Sequence, residues 1–415
     1  MARASIVFIV IFWAHILPGQ RTDDSPYSVE INDHKEGYGF IDSLLGSKKV
    51  VLLGELDHGD GSSFVVKTDL IKYLHEQHHF NLLIFEASFI NCDILWNTMG
   101  GNTQFKDEVK KNIYPIWSEV EETIELFQYI EDQYLKGTPL RMVGMDPQFS
   151  GSNNAHEFIE LLKQTLPSAM TGSKLFAQFV HDMKNMSVWM EFPKKEEQEL
   201  SEEEFTLYCD TILEVIKQNK KDTINLSLWE MYMNNIKIMG QIKRVRDNRS
   251  FERRDEQMFN NLKYWLSKNE NDKSIIWAAN AHIIRKDKVL EKRGKKHYLL
   301  GLKKLGDYIH DAYHDSIYSI AMVSGKGSTI DFTNPSKKNR IKIPKGTSME
   351  GIMQGKRTCL VDLKSFENAY NLKNYKSQLF YTNIACSGQW SQHFDGFIYI
   401  PEMIPSTPLW LKNRK

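Results

Sequence analysis

The stretch VVLLGELDHG, Val50 to Gly59, sets four apolar residues against a glycine and then a glutamate, an aspartate and a histidine. Four apolar residues without polar alternation suit a short strand buried on both faces, as inside a parallel sheet. The polar residues that follow then lie at the carboxyl end of that strand, where open parallel sheets bind ligands. The same pairing recurs along the chain. Leu82 to Phe85 is followed by Glu86-Ala87-Ser88, Leu140 to Met145 closes on Asp146-Pro147, and SIIWAA, Ser274 to Ala279, closes on Asn280-Ala281-His282. Helical stretches at about Ser62 to Gln77 and Trp117 to Leu135 separate the first three strands and make βαβ units. Val120, Ile124, Phe127 and Tyr134 form the apolar stripe of the second stretch. Further strands are expected at 317–323, 358–363, 379–382 and 394–400.

From about residue 154 to 270 no strand pattern is found. Phe176, Phe179, Met183, Met186 and Met190 recur at helical spacing, as do Leu228, Met231, Ile238, Ile242 and Val245. These stripes read as core. The spacing therefore predicts an α/β fold: a mostly parallel central sheet flanked by helices, with a large helical lobe inserted in the middle of the chain. Lys194 to Glu204, dense in charge, reads as a solvated loop or helix start. The basic stretches Arg285–Lys304 and Lys337–Lys345 read as solvated surface, or alternatively as a rim that attracts an anionic substrate.

Composition excludes the extremes. In 415 residues, 53 Lys and Arg balance 53 Asp and Glu, and 41% are hydrophobic, which fits neither a disordered chain nor a basic nucleic-acid binder. Met1 to Leu17, MARASIVFIVIFWAHIL, carries one early charge and an apolar run too short to span a bilayer. It reads as a signal peptide over residues 1–20, cut near Gly19 or Gln20, ahead of one α/β domain over 21–415; the alternative is a buried terminal strand or helix. The expectation is an exported protein, periplasmic or secreted, without stable membrane insertion after cleavage. Cys92, Cys209, Cys359 and Cys386 show no metal-binding spacing and read as buried thiols.

If the strands lie side by side, Glu55, His58, Glu86, Asp146 and His282 converge on one cleft. His58 is placed to take a proton from water, with Glu55 or Glu86 orienting its ring. His282 or Arg254 can polarise a carbonyl. There is no G-x-S-x-G elbow, so activated water is favoured over a serine nucleophile. Two histidines and two carboxylates also suit Zn or Mn, although no H-E-x-x-H motif accompanies them.

These motifs resemble the erythromycin esterase family. GELDHG, with Lys67 beyond it, resembles the family's G-E-x-x-H-G segment; HFNLLIFEAS (His79 to Ser88) resembles its E-A-S strand; and GMDPQ (Gly144 to Gln148) resembles its G-x-D strand end. Arg254-Asp255-x-x-Met258 resembles its R-D-x-x-M helix, Trp277 to Ile283 its W-A-H-N-A-H strand end, and Phe394 to Pro408 its terminal strand. The resemblance implies a hydrolase of ester or lactone bonds that needs no cofactor, with His58 as general base and Glu55, Glu86 and His282 as the other catalytic residues. It implies that Lys67, Asp146, Arg254, Asp255 and Asn280 bind substrate, a small ester or lactone, with no nucleic-acid partner and an oligomeric state left open. Two positions depart from the pattern: Ala279 stands at the first histidine of H-N-A-H, and Lys67 where resistance enzymes often carry Arg. The wider superfamily includes metalloproteases and haem-binding proteins. A metal-dependent hydrolase or peptidase, or a non-catalytic ligand-binding protein, are the alternative readings.

Overall fold

The computed structural model describes residues 28–30 and 38–412, apart from 102–103, 189–190, 220–223, 246, 270–272, 288–289, 292–298, 332–333, 335–336 and 382–383. The expected leader at residues 1–20, and Met190 of the first lobe stripe, lie outside the described residues. In chain order the strands are β1 (Ser28–Glu30), β2 (Val50–Leu53), β3 (Phe80–Ser88), β4 (Arg141–Asp146), β5 (Lys273–Trp277) and β6 (Ile317–Ile330). There follow β7 (Lys338–Ile341), β8 (Cys359–Asp362), β9 (Tyr375–Tyr381), β10 (Ile384–Gly388) and β11 (Gly396–Met403). The main sheet runs β1-β8-β11-β6-β2-β5-β3-β4, with β7 added on the far half of β6, while β9 and β10 form a separate hairpin. Pairing is parallel from β11 through β6, β2, β5 and β3 to β4, and antiparallel at β1, β7 and β8.

The apolar runs work as expected of strands covered on both faces. Val50, Leu52, Leu82 and Ile84 join one hydrophobic cluster, and their neighbours Val51, Leu53, Leu83 and Phe85 join the other. The second cluster is closed by helices Gly61–His78 and Glu121–Leu135. The expected 117–135 helix is in fact two helices, Pro115–Ser118 and Glu121–Leu135. Its buried stripe is Thr123, Leu126, Phe127 and Ile130, whereas Ile124 is exposed. The reason is the break at Val120, which has extended backbone and resets the helical phase. β6 outruns its expected end because its last residues, Gly327 to Ile330, gain a partner in β7. The short β7, KNRI, carries too much polar sequence to be seen as a strand beforehand.

The lobe is helical throughout its described residues. Its helices are His156–Thr165, Ser168–Thr171, Lys174–Ser187, Glu202–Gln218, Leu226–Arg244 and Asn248–Lys268, with the 3-10 turn Lys195–Glu197 between them. Four starts are capped by Ser173, Ser201, Asn225 and Asp247, whose side chains accept the otherwise orphaned backbone N–H groups. Ser201 and Glu204 form a capping box, so the acidic stretch ends as the exposed helix start its charges suggest. Phe176, Phe179, Met183 and Met186 are core. The second stripe holds at Ile242 and is otherwise displaced: Trp229, Tyr232, Ile236 and Met239 are inward residues, Leu228 and Met231 sit on the flank, and Val245 is exposed. Aromatic residues 229 and 232 carry the larger apolar area, and they set the helix phase. The last lobe helix is pinned to the sheet by Asn261 Nδ2 donating to Met145 O (2.7 Å) and Trp265 Nε1 donating to Gly144 O (2.9 Å).

All four cysteines are buried free thiols. Among the described residues no helix is long and apolar enough to cross a membrane. The stretch Arg285–Lys304 departs from the solvated reading at both ends. Arg285 is buried against Asp395 and Ser319, and Lys304 is fully buried, donating to Asp287 (2.5 Å) and to the carbonyls of Leu299 and Leu302. A run of like charges hides such a residue because the partner acid, Asp287, lies inside the run itself. Lys304→Met is expected to cost about 3–5 kcal/mol, the penalty for stranding a buried charge. Lys303→Ala, at a half-exposed position, is expected to stay within about 0.5 kcal/mol. Urea denaturation midpoints of the two variants check this.

Candidate active site

Register places the site. Leu53, Trp277, Phe85 and Gly144 lie in one row across β2, β5, β3 and β4. Glu55, Glu86, Asp146 and Ala279 are one or two residues beyond that row, so their groups emerge at the same carboxyl edge. The turn after β2 is held tightly. A Cβ on Gly54 would lie 1.9 Å from Asn280 Oδ1, and one on Gly59 would lie 2.3 Å from Ile330 O, so both positions of the G-E-L-D-H-G segment exclude a side chain. Between them, Asp60 accepts from Leu56 N and Ser63 Oγ, Asp57 accepts from Thr329 Oγ1, and Gly59 O accepts from Ile330 N and Ser406 N.

Two charge clusters result. In the first, Glu55 is fully buried and accepts from Lys67 Nζ (2.8 Å) and from Trp117 Nε1 (3.3 Å), and it holds His58 Nδ1 at 2.8 Å. Burial would push Glu55 up, but Lys67 and His58 outweigh it and hold the carboxyl below its ordinary range. Lys67 is fully buried, its Nζ 3.9 Å from the centroid of the Trp277 ring. It serves as a point charge behind Glu55, a task in which an ammonium needs no guanidinium fork. His58 is open, with 35% of its side chain exposed. Burial tends to depress its imidazole, yet the Glu55 hydrogen bond and the charges of Glu86, Glu55 and Asp57 raise it overall. With Nδ1 taken by Glu55, Nε2 is the nitrogen left for chemistry.

The second cluster centres on Glu86. Arg254 Nη2 donates to Glu86 (3.1 Å) and Asp146 (2.7 Å), and its Nε donates to Asp146 (3.2 Å). Tyr114 Oη donates to Asp146 (3.3 Å), and Ala279 N donates to Glu86 (2.8 Å). His282 Nε2 lies 3.1 Å from Glu86, and its Nδ1 lies 2.7 Å from Asp255, which also accepts from Leu305 N. Phe251 stacks on the imidazole. Burial opposes charge on His282, but Asp255 and Glu86 push it up to about 10, so it is an imidazolium at neutral pH. Glu86 is held below its ordinary range against burial by His282, then by His58 and Arg254. Because the charged His282 donates from both nitrogens, it cannot accept from Arg254 Nη1, 3.1 Å away, and the Nη1 hydrogens stay available. Arg254 keeps 18% of its side chain exposed.

The structure brings Glu55, His58 and Lys67 together, and Glu86, Asp146, Arg254, Asp255 and His282 together; Glu86 feels the charges of both histidines. Asn280 is different. Its amide donates to Met322 O (2.8 Å) and accepts from Met322 N (3.1 Å), fully buried, so it ties β5 to β6 and leaves nothing for a substrate. Lys67 and Asp255 are likewise enclosed and act through their partners. His282, read beforehand as a group to polarise a carbonyl, spends both nitrogens on carboxylates. Trp117, Tyr114, Asp60 and Phe251 were missed. Each is an ordinary core or cap residue by pattern, and only tertiary contact reveals its neighbour. Asp60 shows one such signal late: burial and the charges of Glu55 and Asp57 push its carboxyl well up, and its Oδ1 has no partner. Among the described residues no group of three or more His, Cys, Asp or Glu is arranged to hold a metal ion, since the carboxylates are committed to Lys67, Arg254 and His282.

The model of the erythromycin esterase family matches residues 75–403. That segment contains Glu86, Asp146, Arg254, Asp255 and His282, with Glu55 and His58 just ahead of it. A protein of Bacillus subtilis (strain 168) named "Putative hydrolase YbfO" is 26% identical over 406 residues, covering 88% of this chain and 86% of its own length. Among solved structures, a Bacillus cereus protein aligns with a TM-score of 0.71 at 17% identity, over 92% of this chain and 97% of its own. A mutant of the erythromycin esterase EreC in its open conformation aligns with a TM-score of 0.65 at 14% identity, over 92% and 99%. At these identities the two structures establish the shared fold.

Asn280→Ala is expected to lose about 2–4 kcal/mol by leaving the Met322 N–H and C=O unpaired, read from the unfolding midpoint. His282 supplies a pH signature. Its folded value is above the unfolded 6.5, so its contribution is complete below about pH 6.5 and fades as pH rises towards about 10. The stability gap between wild type and His282→Gln is therefore expected to shrink by a few kcal/mol (order of magnitude) between pH 6 and pH 10 in thermal unfolding.

Proposed function

The chain belongs to the erythromycin esterase family, and from that premise we propose that it is an exported hydrolase that cleaves a carboxylic ester or lactone of a small molecule with His-activated water. The observation that carries the reading is His58: a ring exposed on one side, fixed on the other by a fully buried carboxylate. Water bound at Nε2 gives its proton to the imidazole while its oxygen adds to the ester carbonyl. Glu55 stabilises the imidazolium that forms and holds Nε2 outward. The electron pair of the carbonyl becomes an oxyanion, for which the Nη1 hydrogens of Arg254 are the uncommitted cationic donors of the Glu86 cluster. Collapse of the adduct breaks the C–O bond, and the alkoxide takes the proton back from His58. Acid and alcohol leave, and no covalent enzyme intermediate is formed. Glu86, Asp146, His282 and Asp255 hold Arg254 in place.

The enclosed position of Lys67 supports activity with Lys in place of Arg, since no substrate has to reach it. Ala279 holds Glu86 through its backbone N–H, so the absence of the family's first histidine leaves the charge cluster whole. Export rests on the apolar Met1–Leu17 leader.

His58→Ala is expected to lower ester or lactone hydrolysis by about 10²- to 10⁴-fold with an unchanged far-UV circular dichroism spectrum. A variant that keeps full turnover against macrolides, aryl esters and simple lactones would sink the assignment. The base form of His58 is required, so kcat/KM should rise with pH to an inflection above 6.5. Glu55→Gln removes the charge that raises it and leaves only a neutral acceptor for Nδ1, so the inflection should move to lower pH.

A further inference from the structure

At the opposite end of the same strands lies a second concavity. It has a volume of about 820 Å³ and opens to solvent beside Asn81 and Arg141, which stand at the amino ends of β3 and β4. Its size falls within the roughly 300–1,000 Å³ of small-ligand sites. Arg141 and Asp146 bracket β4, so the concavity is about 16 Å along the strand from the Glu86 cluster at 3.3 Å per residue.

Its lining is chemically specific. The Arg141 guanidinium lies 5.2 Å over the Trp265 ring, and its Nε is buried with no hydrogen-bond partner. Of two acids nearby, Asp93, which feels its charge, spends its hydrogen bonds on Tyr232 (2.5 Å) and Asn97, and Glu76, which lines the concavity, is engaged by Tyr129. A guanidinium held over an aromatic ring, with no acceptor for its Nε, is prepared for an anion with two oxygens. Beside it Trp96 and Tyr134 meet edge to face with centroids 5.7 Å apart, and both line the space. Their indole and phenol rings offer the kind of surface on which a ring with an apolar face rests. Asn81 and Gln133 add planar amides at the rim, and the Gln133 carbonyl is already taken by Thr138, which leaves its NH₂ to donate.

We propose that this concavity binds an acidic saccharide, with the carboxylate of a uronic acid on Arg141, the sugar ring against Trp96 and Tyr134, and hydroxyls on Asn81 and Gln133. The aromatic pair argues for a ring, the amides for hydroxyls, and the unpaired guanidinium for the carboxylate; a simple anion would need only the last. The site is separate from the proposed catalytic cleft, and its residues take no part in the Glu55 or Glu86 clusters.

The test is titration calorimetry of the full chain with digalacturonate, with maltose as the neutral disaccharide and acetate as the bare carboxylate. Digalacturonate is expected to bind saturably, and maltose and acetate at least about tenfold more weakly. Arg141→Met and Trp96→Ala should each weaken digalacturonate by about tenfold or more, and Arg141→Lys by less than Arg141→Met. Asn81→Ala, at the half-buried rim, should weaken binding several-fold; thermal unfolding of every variant reports whether it is folded. No saturable binding up to about 10 mM digalacturonate would overturn the proposal. So would equal binding of maltose or acetate, or binding unchanged in folded Arg141→Met and Asn81→Ala.

Discussion

A carboxylate at the buried end of a parallel strand stays ionised only where cations and N–H groups replace the water it has lost. Glu86 meets that constraint with Arg254, His282 and the backbone N–H of Ala279. They come from two elements: Arg254 from the last lobe helix, and His282 with Ala279 from the short helix Asn280–Ile283 after β5 and its N-cap. Satisfying one buried charge therefore fixes where the lobe rests on the sheet and how β5 leaves it. The Glu55 cluster applies the same constraint to β2, with Lys67 as its cation and Trp117 as its neutral donor.

The two clusters have different characters, and the difference lies in exposure. Around Glu86 every acid is matched by a cation or a backbone donor, and His282 is locked as an imidazolium. Around Glu55 the matching is incomplete on one side, because His58 keeps a nitrogen without a partner and a face open to solvent. A rigid, fully satisfied network is suited to holding groups in position, while an imidazole with one engaged nitrogen is suited to moving a proton. Division of labour thus follows from burial before any substrate is considered.

Much of this was legible in the sequence, for identifiable reasons. Buried parallel strands are short apolar runs with polar ends, and Val50–Gly59, Leu82–Ser88 and Ser274–His282 show that pattern without interruption. The lobe was visible through Phe176, Phe179, Met183 and Met186. What escaped depended on contacts between distant segments. Asn280 sits in the same tripeptide as His282, yet it turns away to the backbone of Met322, and nothing local distinguishes the two. Lys304 lies in a basic run, and only its burial against Asp287 separates it from a surface lysine. Trp117 looked like part of one long helix, because the break at Val120 has no proline or glycine to announce it.

The bond from Ala279 to Glu86 is made by the main chain. A change of side chain at position 279 therefore keeps this donor, except a change to proline, which has no N–H. The side chain at position 279 is thus uncoupled from the electrostatics behind it, and the ion pairs of Glu86 stand whatever that side chain is. Sequence change at such a position spares the charge network, because the backbone rather than a side chain carries the contact.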